Sequence, residues 1–207
     1  GYWSRGLGDV YKRQVLTMTM ADNLIRMTLI VTTTQKFGRA TTRIEPRRTE
    51  ITTPPVGGRG DYMGDKWDKR FLELAKHISL WSKDPSTKVG CVVVGDDREI
   101  RSTGFNGFPR GIEDDDGRLS DRSQKYPLIC HAEENAIMHA ARVGVSLKGN
   151  TAYVTWPPCS RCTRSLIQAG IQEVVFPKDL EIPDRWQEDF AIAMSMMSEA
   201  QVSVRQV

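Results

Sequence analysis

Two short motifs hold the residues best able to do chemistry: His131-Ala132-Glu133 and, further along, Pro157-Pro158-Cys159-Ser160-Arg161-Cys162. Together they supply one imidazole, two thiolates and one carboxylate. A zinc ion held by three protein donors keeps its fourth position for water or substrate, whereas structural zinc sites close all four. Cys159 and Cys162 stand at i and i+3, on one face of a helix's first turn, where free backbone N–H groups and the positive dipole end stabilise thiolates. Alone, such a pair reads as a redox couple or as chance. His131 supplies the third donor, and the set of His131, Cys159 and Cys162 then reads as a Zn2+ site.

Glu133 separates catalysis from structure. Zinc lowers the pKa of a bound water to about 7, and a carboxylate beside that water can take its proton and pass it on to a reacting group. His-x-Glu sets two side chains well apart around a helix. At the first turn both can still leave the helix end, His131 onto the metal and Glu133 toward the water. Other candidates fall away on position. Glu134 faces elsewhere and reads as surface, Cys130 as a small buried apolar residue, and His77 as polar filler. His139 lies two turns beyond His131, too far along the helix to join it.

The elements that must position these residues follow from periodicity. Trp67, Phe71, Leu74, Ile78 and Trp81 form the apolar stripe of an amphipathic helix. Lys88 to Gly95 is a β-branched run, read as a buried strand, and Asp96-Asp97-Arg98 is a turn into a second strand, Glu99 to Gly104, antiparallel to the first. A long polar loop is expected from there to about Pro127. A helix runs from His131 to about Val143, closed by Gly144. Thr151 to Thr155 is a strand ended by Pro157-Pro158, and a helix follows from Cys159 to about Ala169 with Gly170 as its cap. Gln172 to Phe176, a helix from Pro183 to about Ala200, and Val202 to Val207 complete the order. This succession predicts an α/β fold, a mixed five-stranded sheet flanked by helices.

Composition narrows the function further. A hydrophobic fraction of 39% and a charged fraction of 27% are those of a globular protein, and no apolar run approaches the roughly 20 residues that span a bilayer. Residues 1–63 carry ten Lys/Arg against five Asp/Glu, a net +5, while residues 64–207 carry nineteen against twenty-one, a net −2. The part that holds the motifs is thus mildly acidic, which argues against a grip on long nucleic acid. Four cysteines, two of them in the C-x-x-C, fit metal-site use in a reducing compartment, and the cytoplasm is expected.

Residues 1–63 show no sustained period and too few large apolar residues for a core. The segment is read as a disordered or non-native extension. Its opening, Gly1 to Gln14, resembles translated sequencing-adapter sequence, and natural translation is expected to begin at Met63. The alternative is a basic arm for nucleic acid. Residues 64–207 are read as one domain.

H-x-E followed by P-C-x-x-C marks the zinc-dependent nucleobase deaminases. From about Trp67 to the C-terminus the chain resembles the deoxycytidylate (dCMP) deaminase family. The resemblance rests on Lys83 to Gly90 (KDPSTKVG), Gly104 to Gly111 (GFNGFPRG), Lys125-Tyr126-Pro127, Cys130 to Ile137 (CHAEENAI) and Tyr153 to Ile171 (YVTWPPCSRCTRSLIQAGI). It implies a cytidine-deaminase-like layered fold and hydrolytic conversion of dCMP to dUMP and ammonia, with water attacking C4 of cytosine and Glu133 shuttling protons. It further implies that Asn106 contacts the sugar or base. The 5′-phosphate needs cationic or N–H donors; Arg110 and Lys88 are the candidates, with a solvated loop charge the alternative for Arg110. A homo-oligomer and the effectors dCTP and dTTP are also implied. Glu113-Asp114-Asp115-Asp116 reads as a wet loop, with a magnesium–nucleotide effector site as its alternative. Rival readings are a deaminase of another cytosine nucleotide or nucleoside, a deaminase of a base in RNA or DNA, and an inactive zinc-stabilised nucleotide-binding module.

Overall fold

The β-branched run that follows Val89 builds an inner strand of a five-stranded sheet. The computed structural model describes backbone over residues 10–21, 24–37, 40–43, 47–51 and 65–207, and side chains over 66–207. It divides into two units, Gly1–Gly57 and Gly58–Val207.

In the first unit, strands β1 (Val10–Ala21), β2 (Leu24–Phe37), β3 (Ala40–Arg43) and β4 (Arg47–Ile51) form an antiparallel sheet in which β2 pairs with each of the others. The sequence shows no sustained period there. Thr, Val and Ile nonetheless favour extended backbone without strict alternation. The expected boundary at residues 63 and 64, and the expected start at Met63, lie outside the described residues.

The second unit opens with α1 (Asp65–Ser79), then β5 (Gly90–Val94) and β6 (Ile100–Phe105). Two short helices, α2 (Asp116–Ser120) and α3 (Arg122–Leu128), occupy the stretch expected to be loop. After them come α4 (Ala132–Val143), β7 (Thr151–Val154), α5 (Ser160–Gln168), β8 (Glu173–Phe176), α6 (Asp184–Glu199) and β9 (Ser203–Gln206). The sheet is five-stranded in the order β6-β5-β7-β8-β9. β5 is antiparallel to both β6 and β7, and β7, β8 and β9 run parallel. The expected mixed five-stranded sheet flanked by helices is thus what the chain forms.

All five residues of β5 are buried, as befits a strand covered on both faces. Cys91 and Val93 pack with Ala132, Ala136 and Ala140 of α4, Leu166 of α5 and Ala193 and Met197 of α6. Val92 and Val94 pack the other way, with Tyr153 and Val175, against Phe71, Ala75 and Ile78 of α1. Trp81, expected to end the α1 stripe, lies beyond the helix and is exposed, edge-on to Phe105 at 6.1 Å.

Two glycines let helices sit directly on strands. A Cβ on Gly104 would collide with Ala132 O and Ala136 N of α4, and one on Gly90 with Ala75 O of α1. Gly104 therefore sets the seat of α4, and Ser102 Oγ (2.6 Å to Ala136 O) and Asn135 Nδ2 (2.8 Å to Phe105 O) pin it there.

Candidate metal and substrate site

The sheet brings two helix starts together. At the end of β7, Pro157 and Pro158 carry no N–H and stop strand pairing. Cys159 follows in extended backbone as the N-cap of α5, its sulfur accepting from Cys162 N at 3.5 Å. His131 is the N-cap of α4, also extended, and makes no side-chain capping bond, so its imidazole is free for other work. The isolated bridge between Gly107 and Cys130 holds the chain just before it.

His131 Nδ1 lies 3.4 Å from Cys159 Sγ and 3.4 Å from Cys162 Sγ. These three donor atoms all lie within 4.8 Å of one another, and they form a group able to hold a metal among the described residues. A tetrahedral zinc with Zn–S near 2.3 Å and Zn–N near 2.0–2.1 Å needs N···S separations of about 3.6 Å. The spacing and the donor set fit that ion, and three protein donors leave a fourth position.

Charge in this pocket is strongly perturbed. The hydrogen bond from Cys162, followed by that with His131, pulls the Cys159 thiol down to about 4. The same bond, together with burial, holds the Cys162 thiol well up. The Cys159 sulfur raises His131. Glu133 is 3% exposed, and burial pushes its carboxyl up to about 7, although bonds to its own backbone N–H and to Cys162 act the other way. The site therefore has a carboxyl that can both take and give a proton near neutrality.

Further contacts brace the two helix starts. Arg161 donates two hydrogen bonds to Glu134, at 3.1 and 3.0 Å, tying α5 to α4. Glu134 is therefore half-buried and engaged, where the sequence read it as plain surface. Ser160 bonds Asp189 of α6 through its N–H (2.9 Å) and its hydroxyl (2.5 Å). Cys130 is half-buried, and burial raises its thiol. His139 stays apart from the metal group, its Nδ1 3.3 Å from Thr103 O. His77 is exposed on α1.

The three residues expected at the substrate fall in different surroundings. Asn106 is buried, its Oδ1 accepting from Val89 N at 2.8 Å and its Nδ2 donating to Thr87 O at 2.9 Å. Arg110 is exposed on the loop after β6. Lys88 is exposed and lines a cleft of about 490 Å³ with Lys69, Lys76, Trp156 and Leu180, a cleft that none of the other named site residues lines. In the acidic run, Asp114 pairs with Lys83 at 2.9 Å and Asp115 caps α2. Sequence reasoning missed Asp84 and Lys125, a buried ion pair at 3.1 Å that also reaches Asn106. Both stand in the stretches KDPSTKVG and Lys125-Tyr126-Pro127, but the sequence alone does not distinguish a buried charge there from a surface one.

Residues 65–178 match the family model of the cytidine and deoxycytidylate deaminase zinc-binding region. An Aliivibrio fischeri protein described as an uncharacterized deaminase in the luxG 3′ region is 43% identical over 143 residues, spanning 69% of this chain and 94% of its own. Human deoxycytidylate deaminase is 38% identical over 129 residues, 58% of this chain and 68% of its own. The crystal structure of the dCMP deaminase from cyanophage S-TIM5 in complex with dCMP and dUMP superposes with a TM-score of 0.56 at 26% identity, covering 70% of this chain and 100% of that one.

Proposed function

We propose that this chain, which belongs to the cytidine and deoxycytidylate deaminase zinc-binding family, is a zinc-dependent hydrolase that converts dCMP and water to dUMP and ammonia. The single observation that carries the reading is the meeting of His131 Nδ1 with the Cys159 and Cys162 sulfurs beside the buried carboxyl of Glu133. His131, Cys159 and Cys162 would hold the zinc, which supplies Lewis acidity that brings a water's pKa to about 7. Glu133 takes the proton of the attacking water, passes it to N3 of cytosine and assists departure of the 4-amino group. Its raised proton affinity suits both directions of transfer. Asn106 contacts the sugar or base. Arg110 and Lys88 remain the candidate phosphate partners; Lys88 stands between Thr87 and Val89, both of which bond the Asn106 amide.

The relatives named deoxycytidylate deaminase, and the phage enzyme solved with dCMP and dUMP, support the choice of substrate. Among the described residues no helix is long and apolar enough to cross a membrane, and thiolate ligands favour a reducing compartment such as the cytoplasm. A homo-oligomer that responds to dCTP and dTTP is part of the same reading; light scattering and initial rates with each triphosphate test it. Residues 64–207 are proposed to carry the whole activity.

The deciding experiment is ammonia release from dCMP, CMP, deoxycytidine, dCTP and a tRNA stem-loop, with and without chelator. Chelator-sensitive turnover of dCMP above the others supports the proposal. Preference for deoxycytidine or for the stem-loop replaces dCMP as substrate, and zinc with bound nucleotide but no ammonia marks an inactive binding module.

A further inference from the structure

We propose that the buried pair Lys125–Asp84 is a positioning device for Asn106, fixing its amide so that the oxygen alone is left to accept a hydrogen bond from the substrate's sugar hydroxyl. The inference rests on the reading of Asn106 as a substrate contact. Asp84 and Lys125 are 4% and 5% exposed. Lys125, on α3, reaches Asp84 Oδ1 at 3.1 Å and Ser86 Oγ at 3.3 Å. The same Asp84 oxygen accepts from Ser86 N at 2.8 Å and Thr87 N at 3.3 Å, shaping the turn between α1 and β5. Its other oxygen accepts from Asn106 Nδ2 at 3.4 Å.

Asn106 is thereby held on every side. Its backbone N–H donates to Val89 O at 3.2 Å, and its backbone oxygen accepts from Ser82 Oγ at 2.7 Å. An amide side chain has two N–H donors and an oxygen with two lone pairs. Both donors are engaged, by Thr87 O and Asp84 Oδ2, and one lone pair of Oδ1 by Val89 N. Reversing the amide would set its oxygen against the Thr87 carbonyl and the Asp84 carboxylate, and its nitrogen against the Val89 N–H, so the network itself decides the orientation. What remains is one acceptor site. With its base neutral and its phosphate ionised, dCMP offers two donor groups, the 4-amino group and the 3′-hydroxyl. The amino group is the leaving group and belongs beside Glu133, which leaves the hydroxyl for Asn106.

A buried ion pair is a poor general source of stability, because desolvation offsets much of its attraction. Holding the 84–89 turn and the amide in register gives this pair a purpose that stabilisation alone does not. It also gives one to two stretches, KDPSTKVG and Lys125-Tyr126-Pro127, that the zinc chemistry leaves unused.

The test measures kcat and KM of the zinc-loaded full chain on dCMP and on 2′,3′-dideoxycytidine 5′-monophosphate, for wild type, Lys125→Met, Asn106→Ala and the double variant. Thermal melts and zinc content verify the fold. Lys125→Met is expected to raise KM for dCMP about tenfold, the worth of one hydrogen bond, with kcat within about twofold. It should leave KM for the dideoxy analogue unchanged and add nothing on the Asn106→Ala background. If KM moves equally for both substrates, or stays constant while Asn106→Ala raises it, the pair is a structural strut and the proposal is overturned. If Asn106→Ala leaves KM unchanged, the reading of Asn106 fails first and takes the inference with it. A chain that does not turn over dCMP refutes the proposed function instead. Asp84→Asn, which keeps side-chain volume but places an N–H group against Asn106 or Lys125, should show the same pattern and decides the matter if Lys125→Met does not fold.

Discussion

Replacing Glu133 by glutamine isolates the proton shuttle from everything else at the site. The two side chains have nearly the same shape, so the packing around a residue that is 3% exposed is kept. The three candidate metal donors are His131, Cys159 and Cys162, so zinc should stay bound. What is lost is a group able to take and return a proton. Positioned acid–base groups contribute about 10²–10⁴ in rate, roughly 3–5 kcal/mol of barrier. Burial pushes the Glu133 carboxyl up to about 7, so that in a neutral assay buffer it sits where such transfer is most effective. The upper half of that range is therefore expected, a fall in kcat of about 10³–10⁴ with KM for dCMP within about threefold. Stability should hold or rise, since burial disfavours the charged carboxylate that glutamine removes. Coupled ammonia release, zinc determination and a thermal melt read all three. A variant that keeps more than about a tenth of wild-type kcat would refute the shuttle, and one that loses zinc would make Glu133 a ligand.

Other outcomes follow from the geometry. Cys159→Ala removes a donor and the acceptor for Cys162 N; zinc content should drop to background and turnover with it, while retained stoichiometric zinc would contradict the assigned set. Gly104→Ala drives a methyl group into Ala132 O and Ala136 N, so α4 must shift. A stability loss of about 1–3 kcal/mol and weaker zinc retention are expected, and an unchanged melt would count against the close seat. Tyr153→Phe deletes a hydroxyl that donates to Asp68 Oδ1 at 2.8 Å inside the core. Asp68 keeps its two bonds from Arg205, so denaturant unfolding should show a loss of about 1 kcal/mol with turnover unaffected.

Much of the second unit was legible because its elements obey single periods. The β-branched run within Lys88 to Gly95 reads as a buried strand, and Trp67, Phe71, Leu74 and Ile78 of the α1 stripe do pack against the core, with Ala75 added to that face by the structure. The helices α2 and α3 escaped because five and seven residues are too few for a period, although Asp115 and Asp121 accept from Arg118 N and Ser123 N as N-caps and were readable signals. The donor set was legible from residue type and spacing. Which nitrogen of His131 meets the sulfurs, and how deeply Glu133 is buried, depend on two helix starts brought together by strands distant in sequence. For the same reason Lys125 and Asp84, 41 residues apart, could not be paired from the sequence.

The most direct test of the account is zinc K-edge X-ray absorption on the purified chain, with metal content measured on the same sample. One zinc per chain with two sulfurs at about 2.3 Å and two lighter atoms at about 2.0–2.1 Å is the expected first shell, unchanged in Glu133→Gln and abolished in Cys159→Ala. A shell of four sulfurs, or one with none, would contradict it.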